Sequence, residues 1–246
     1  MRSLTFSASR VGDLLAGGTG KTRMNYIFEL AEASVNAKKN VTTKQMLHGI
    51  VNERNALDIL CKVRDLVPNT NANGDQVFYP INGYIGATPD AIGFNAVGDA
   101  KCQYSIQAFI EQNDKLKTAY YYQLQTQMMA LKVEQAYLIN YLTKPEEFGQ
   151  EDWEEYPFPI EQRYFIHEVV KDEKVCDDIL FAAEKNFPLI VECSDLLLGA
   201  TDLHEHTFFN WQMKDKVRFG KLKDTNWLNF EKEVFRFNNE FYYIKK

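Results

Sequence analysis

The order in which helix-like and strand-like patterns follow one another most constrains what this chain can fold into. Helical patterns dominate up to about residue 63. Strand-like segments punctuated by glycine and proline come next, and a helix, two strands and a further helix follow. In order, these segments are QVFYPI, GYIGATPDAIGF, VGDAKCQ, TAYYYQLQTQMMALK, QAYLINYL, RYFIHEVV and DEKVCDDILFAAEKNF. This order predicts an α/β fold with a central mixed sheet flanked by helices.

The length and charge of the chain set broad limits on its function. The 246 residues can form one large domain or a core with an appendage. A net charge of −6 argues against a nonspecific nucleic-acid coat protein, although a local basic surface can still bind DNA. The four cysteines are scattered, which favours reduced thiols over a metal cluster. No apolar run is long enough to cross a bilayer and no signal peptide is evident, so we expect a cytoplasmic protein without membrane contact.

The stretch LLAGGTGKT, residues 14–22, superficially matches a phosphate-binding loop. That loop requires a glycine five residues before Gly20, and Leu15 stands there instead. The preceding SASRVGDLLA has the pattern of a short helix capped by Ser7 or Ser9, rather than of a buried strand. We therefore do not expect a nucleotide-hydrolysing P-loop protein.

A long helix is predicted over TTKQMLHGIVNERNALDILCKV, with Thr42 and Gln45 as a capping box. Glu53 falls in the middle of an apolar stripe on this helix, formed by Met46, Ile50, Leu57 and Leu60. A carboxylate in such a stripe is costly unless it is paired or binds a cation. Glu53 is therefore either a structural residue that reaches solvent or a buried cation, or a functional residue.

Further acids lie in the strand-like region ATPDAIGFNAVGDAKC. Asp90 follows a proline, and Asp99 and Lys101 are two apart in a strand, so their side chains share one face. An exposed ion pair is the structural alternative and would contribute little to stability. The small residues on the opposite face, with Ile92 and Phe94 nearby, favour strands that pack centrally.

Three acids and one lysine are suited to a magnesium site for phosphodiester cleavage, in which Mn²⁺ can substitute. Mg²⁺ prefers carboxylate oxygens and water, and usually takes few protein ligands. Asp90 and Asp99 are candidate direct ligands, Glu53 a ligand directly or through water, and the carbonyl of Ala100 is placed to join them. The ion would polarise the phosphoryl oxygen and acidify the attacking water. Lys101 would orient that water and offset the developing charge.

Six ordered segments resemble the lambda-exonuclease, or YqaJ-type viral recombinase, family of PD-(D/E)XK nucleases. They are SASRVGDLLAG, HGIVNERNAL, ATPDAI, DAKC, AYYYQLQTQM and AYLINY, and the similarity runs from about Arg2 to Asn186. The resemblance implies a restriction-endonuclease-like core over residues 1–194. Residues 195–246 would form a C-terminal extension, packed on the core or at an oligomer contact.

The resemblance also implies a catalytic set, which comprises Glu53, Asp90, Asp99, Lys101 and Gln123. Asp99 stands where many relatives have glutamate. Gln123 would contact the water bound by the metal or the scissile phosphate. On helical spacing alone, Gln123 and Gln127 share a face with Tyr120, and this polar edge is equally compatible with a solvated border of the helix.

Recognition of a DNA 5′-phosphate is a further implication of the resemblance. By position it falls to Arg2, Ser9 and Thr88, whose guanidinium and hydroxyl groups suit phosphate. Ser9 as a helix cap and Thr88 as a turn residue are the structural alternatives. The basic segment GGTGKTR is then interpreted as a turn in which Lys21 and Arg23 contact the DNA backbone without reading sequence.

Taken together, the resemblance implies a Mg²⁺-dependent exonuclease that digests duplex DNA from a 5′-phosphorylated end and leaves a 3′ single strand for recombination. It implies a phage or prophage origin, a cytoplasmic location in a bacterial host, a partner that anneals single strands and a ring-shaped homotrimer around DNA. The alternatives are an endonuclease of the same fold, for restriction or repair, and a catalytically silent protein that binds DNA ends.

Overall fold

The computed structural model describes residues 5–17, 21–34, 43–103, 105–143, 158–201, 218–221, 234–237 and 240–245. The helices are α1 Val11–Leu14, α2 Lys21–Ser34, α3 Lys44–Arg64, α4 Ile106–Asp114, α5 Thr118–Leu131 and α6 Glu173–Thr201. The strands are β1 Phe6–Ser7, β2 Val67–Pro68, β3 Tyr79–Pro80, β4 Ile85–Ala87, β5 Ala91–Ile92, β6 Ala96–Gln103, β7 Gln135–Leu142, β8 Tyr164–Val170, β9 Arg218–Lys221, β10 Val234–Phe237 and β11 Glu240–Lys245. Short 3₁₀ turns cover Ala8–Arg10 and Ile160–Gln162.

The chain forms two compact units. The first, here the terminal unit, comprises Met1–Phe6, Asp13–Lys39 and Phe181–Lys246. The second, here the sheet unit, comprises Ser7–Gly12 and Asn40–Leu180. The boundary at residue 194, between a nuclease core and an extension, stays a prediction.

A five-stranded mixed sheet organises the sheet unit, in the order β2-β5-β6-β7-β8. The pair β6–β7 is parallel and the other three pairs are antiparallel. A parallel pair needs a long crossover connection, which here contains α4 and α5. The predicted mixed sheet flanked by helices is confirmed, and β6, which carries Asp99 and Lys101, is its central strand.

Alternate side chains of β6 pack into two hydrophobic cores, one on each face of the strand. On one face, Ala96 and Ala100 pack with Leu60 of α3, and on the other Val97 packs with Leu124 of α5. Gly98 allows the α3 side to come close, because a Cβ there would lie 2.8 Å from Cδ2 of Leu60 and 2.9 Å from Cδ1 of Leu66. This close packing brings α3, and with it Glu53, to the central strand.

The apolar stripe predicted on α3 is buried only in its second half. Leu60 is fully buried, whereas Met46 and Ile50 are 53% and 65% exposed, so the stripe is not covered along its whole length. Glu53 is half-buried at the point where the stripe passes from surface to core. Period 3.6 places these residues on one face of the helix, but the neighbouring elements cover only part of its length.

The start of α3 also differs from the sequence prediction. The N-cap is Thr43, whose Oγ1 accepts a hydrogen bond from the Met46 backbone N–H at 3.2 Å. Thr42 lies outside the described residues. Both positions offer a hydroxyl, and sequence alone did not separate them.

Other sequence predictions near and beyond the sheet were wrong or incomplete. Phe94 does not pack beside the central strands, because it occupies the turn before β6 and is fully exposed. Helix α4 has no counterpart among the helices predicted from the sequence. The last long helix, predicted to end at Phe187, continues through Pro188 to Thr201.

The C-terminal residues described form a small antiparallel sheet. β10 pairs with β11, with Phe237 opposite Glu240, and β9 pairs with the other edge of β11. β10 and β11 thus form a hairpin, and the two asparagines between them, Asn238 and Asn239, lie outside the described residues. Across the described ranges, no helix combines the length and apolar character that a membrane span would need.

Candidate active site

Asp90 is held next to β6 by main-chain and side-chain hydrogen bonds. Its N–H donates to the Gly98 carbonyl at 3.0 Å, and its Oδ2 accepts from the Ala100 N–H at 2.8 Å. Asn69 supports the same segment from behind, since its N–H donates to the Asp90 carbonyl at 2.9 Å and its Nδ2 to the Pro89 carbonyl at 2.8 Å. The Asp90 carboxylate is therefore fixed beside the strand that carries Asp99.

Asp99 is the most enclosed acid of the site, with its side chain 1% exposed. Its Oδ1 accepts hydrogen bonds from Nε2 of Gln123 at 2.6 Å and from Nε2 of Gln127 at 2.8 Å. Its Oδ2 forms an ion pair with Lys101 Nζ and, among the described residues, accepts no further hydrogen bond. The predicted common face of Asp99 and Lys101 is confirmed, and the alternative of an exposed ion pair is excluded because Asp99 is buried.

Helix α5 covers this face of β6 with glutamines that are buried. Gln123 and Gln127 are 6% and 0% exposed, so the alternative of a solvated helix border is excluded. Tyr120, one turn earlier, places its ring 5.3 Å from Lys101 Nζ and 5.6 Å from Lys117 Nζ, as cation–π contacts. Gln123 is thus brought to the site, with Gln127 and Tyr120 beside it.

Burial and neighbouring charges shift the pKa values of Glu53, Asp90 and Lys101. Burial raises the pKa of Glu53, the Asp99 charge raises it further, and Lys101 opposes both. Burial also raises the pKa of Asp90 well above its usual value, with contributions from Asp99 and Glu53 that outweigh Lys101 and the Ala100 N–H. Burial alone would lower the pKa of Lys101, but Asp99 and Asp90 raise it above its usual value, so the ammonium stays charged. The charges of Glu53, Asp90, Asp99 and Lys101 therefore influence one another, while their catalytic role stays a prediction.

This charge pattern fits a divalent cation. Three carboxylates share one ammonium, the buried Asp99 Oδ2 is not saturated with donors, and the pKa values of Glu53 and Asp90 are raised above their usual values, mainly by burial. In the described part of the chain, no three or more histidine, cysteine, aspartate and glutamate side chains enclose a place that could hold a metal ion. Mg²⁺ does not need such an enclosure, since it usually keeps several waters and takes substrate phosphate oxygens.

The family model for the YqaJ-like viral recombinase domain matches residues 1–132, which is more than half of the chain. The chain belongs to this family. Every residue of the site described above lies inside the matched span. No curated protein matches the sequence.

Two solved structures share the fold of this YqaJ-like protein. The alkaline exonuclease LHK-Exo from Laribacter hongkongensis has a TM-score of 0.65 at 21% identity, over 82% of this chain and 96% of that chain. A phage-related exonuclease from Haemophilus somnus 129PT has a TM-score of 0.63 at 19% identity, over 76% and 95%. The likeness confirms the predicted restriction-endonuclease-like fold with its mixed sheet and flanking helices.

In the YqaJ-like protein, the structure describes two of the three residues predicted to bind the 5′-phosphate of DNA. Arg2 lies outside the described residues. Ser9 is exposed on the 3₁₀ turn, with its Oγ 3.0 Å from Ser7 Oγ, and Ser7 rather than Ser9 occupies the N-cap position of that turn. Thr88 is half-buried between β4 and Pro89, two residues before Asp90. Their role in binding phosphate stays a prediction.

Lys21 and Arg23 do not form a turn, because both lie in the first turn of α2. Lys21 is exposed at its start. The Arg23 guanidinium donates to the Leu14 carbonyl at 2.9 Å and to the Ala16 carbonyl at 2.7 Å. These bonds hold the end of α1, since carbonyl groups at a helix C-terminus have no partner within the helix. DNA contact by Lys21 and Arg23 stays a prediction.

Three residues near the acids were not assigned to the site by sequence reasoning. Asn69 supports Asp90 through the main chain, and Gln76 Nε2 donates to Asp90 Oδ1 at 3.3 Å. These two contacts join distant positions, so no local pattern could have indicated them. Gln127 was recognisable in part, since it lies one helical turn after Gln123.

Proposed function

We propose that this protein is a Mg²⁺-dependent nuclease that digests duplex DNA from a 5′-phosphorylated end and leaves a 3′ single strand. The observation that carries the proposal is the Asp99–Lys101 pair on the central strand, with Asp90 and Glu53 both close enough for the charges of this pair to shift their pKa values. Membership of a viral recombinase family and the fold shared with two exonucleases support it. LHK-Exo has also been solved in complex with dAMP, a deoxynucleoside monophosphate.

In this proposal the metal would be held by Asp90, Asp99 and the Ala100 carbonyl, with Glu53 as a ligand directly or through water. Mg²⁺, or Mn²⁺ in its place, would supply charge against the phosphoryl oxygens and a more acidic water. Asp90 already has one oxygen committed to the Ala100 N–H, which fixes the direction of the other. The pKa values of Asp90 and Glu53 are raised, and a bound cation would lower both pKa values by stabilising the ionised carboxylates.

Lys101 acts as a donor and not as a base. Its pKa lies above the usual value because Asp99 and Asp90 outweigh the effect of burial, so Nζ keeps its proton at neutral pH. The ammonium can orient the attacking water and offset negative charge on the phosphate. Gln123 holds Asp99 in place through Oδ1 at 2.6 Å.

A recombination role brings further proposals. The 3′ strand would pass to a single-strand annealing protein. The nuclease would act as a homotrimer around DNA. The nuclease and the annealing protein would work in the cytoplasm of a bacterium that carries the phage or prophage. Family membership supports the recombination context. Ser9, Thr88 and Arg2 are proposed to bind the 5′-phosphate, with Lys21 and Arg23 on the DNA backbone.

The test is a digestion time course on linear duplexes with 5′-phosphate, 5′-hydroxyl and blocked ends, each with Mg²⁺ and with EDTA. We expect digestion that needs Mg²⁺, is fastest on the 5′-phosphate and leaves 3′ single strands. A covalently closed circular duplex is the companion substrate. Rapid loss of the closed circle would replace the exonuclease with an endonuclease of the same fold.

A further inference from the structure

Two amides of α5 donate to the same carboxylate oxygen of the candidate site. Gln123 Nε2 and Gln127 Nε2 lie 2.6 and 2.8 Å from Asp99 Oδ1. The two glutamines are one helical turn apart and project from the same face of α5 toward β6. The family resemblance assigns a role to Gln123, whereas Gln127 has none.

Among the described residues, only one of the two polar atoms of the Gln127 amide has a hydrogen-bond partner. Its side chain is fully buried and Nε2 bonds Asp99, while its Oε1 is buried without a hydrogen-bond partner in the described part of the chain. A buried acceptor that has lost its bonds to water destabilises a fold, and an apolar side chain of similar length would avoid that loss. The amide is therefore explained by its bond to Asp99 and not by the stability of the core.

We infer that Gln127 is a positioning residue for the candidate metal site, and this rests on the proposed function. Gln123 and Gln127 together fix Oδ1 of Asp99, which turns Oδ2 toward Lys101 and keeps it available to a divalent cation. Neutral amides can hold a carboxylate without adding a charge that would compete with the cation. Partners that orient a metal-binding side chain typically change metal affinity or activity by about 10- to 100-fold when they are removed.

Gln125 provides a matched control on the same helix. It is also fully buried, but its Nε2 donates to the Val170 carbonyl at 2.9 Å and its Oε1 accepts from the Asp172 N–H at 2.9 Å. Its amide thus joins α5 to the segment that follows β8 and makes no bond to Asp99. Gln125→Met removes a structural amide, whereas Gln127→Met removes the proposed positioning amide.

The experiment measures Mn²⁺ binding without DNA, by calorimetry and by electron paramagnetic resonance, together with the melting temperature Tm. For Gln127→Met we expect a Kd for Mn²⁺ raised about 10-fold or more, with a Tm that falls no further than that of Gln125→Met. For Gln125→Met we expect a lower Tm and an unchanged Kd. A Gln127→Met protein that binds Mn²⁺ like the wild type overturns the inference.

The Mg²⁺ concentration for half-maximal DNA digestion separates this inference from the proposed function. If the wild type digests DNA but Gln127→Met changes neither this concentration nor Mn²⁺ binding, the positioning role fails alone. If the wild type binds Mn²⁺ and Gln127→Met weakens it, but DNA is not digested, the proposed function fails alone. Wild-type protein that binds no Mn²⁺ overturns both.

Discussion

Replacing Lys101 by methionine removes the ammonium from the carboxylate cluster and keeps an unbranched side chain in its place. Asp99 is 1% exposed, so water cannot hydrate the charge that is left behind. Breaking a buried ion pair from one side costs about 3–5 kcal/mol. Two amides still donate to Asp99 and the Lys101 side chain is 24% exposed, so we place the loss of unfolding free energy near the lower limit, at about 3 kcal/mol.

The assay is scanning calorimetry of Lys101→Met and wild type in EDTA and in Mg²⁺. For a chain of this size the loss corresponds to a Tm lower by about 6–12 °C in EDTA. Mg²⁺ should recover part of this difference, because the cation replaces the missing positive charge. Digestion of 5′-phosphorylated duplex should fall by about 10²–10³-fold, the usual effect of removing one group that stabilises developing charge. DNA binding, measured in Ca²⁺, should persist.

Lys171→Met is the matched control. Lys171 pairs with Glu173 at 2.8 Å and Glu134 at 3.9 Å, but these carboxylates are 73% and 59% exposed. Solvent screens such pairs, so the change should cost at most about 1 kcal/mol and leave digestion unchanged. The reasoning about Lys101 is refuted if Lys101→Met melts like the wild type in EDTA, or if it digests DNA at the wild-type rate.

Three further predictions test the surroundings of the site. The folded-state pKa of Asp90 lies above its unfolded value, so the metal-free wild type should lose stability as the pH rises from the ordinary carboxyl range through the raised pKa. Asp90→Asn should lack this slope. Parallel curves of Tm against pH for the two proteins in EDTA would contradict this prediction. Gly98→Val should lower the free energy of unfolding by about 1–3 kcal/mol and slow DNA digestion, because the valine side chain would displace Leu60 and the helix that carries Glu53. Thermal melts and digestion assays measure the two effects. Wild-type values in both would contradict the packing argument. Arg23→Met should lower stability by about 1.5–3 kcal/mol through loss of its carbonyl contacts and, by the proposed contact with the DNA backbone, reduce the salt slope of DNA binding by about 0.9; an unchanged Tm would contradict the first and an unchanged slope the second.

Local patterns in the sequence identified much of the site. Strand period placed Asp99 and Lys101 on one face of β6, and the predicted segment QAYLINYL has the same bounds as β7, Gln135–Leu142. Helical period placed Gln123 and Gln127 on one face of α5. These relations hold within a single element, where backbone geometry alone decides which side chains project together. The family resemblance then supplied the acids that belong with them.

Which of these faces is covered was decided only by the tertiary structure. The sequence left open whether the glutamines of α5 were solvated, and packing against β6 buried both of them and turned their amides to Asp99. The same limit applies to α3, where Met46 and Ile50 share a face with Leu60 yet remain exposed. Asn69 reaches the Asp90 segment from a distant position in the chain, which no local spacing encodes. Periodicity fixes the direction of a side chain within its element, whereas burial and long-range hydrogen bonds depend on where the other elements lie.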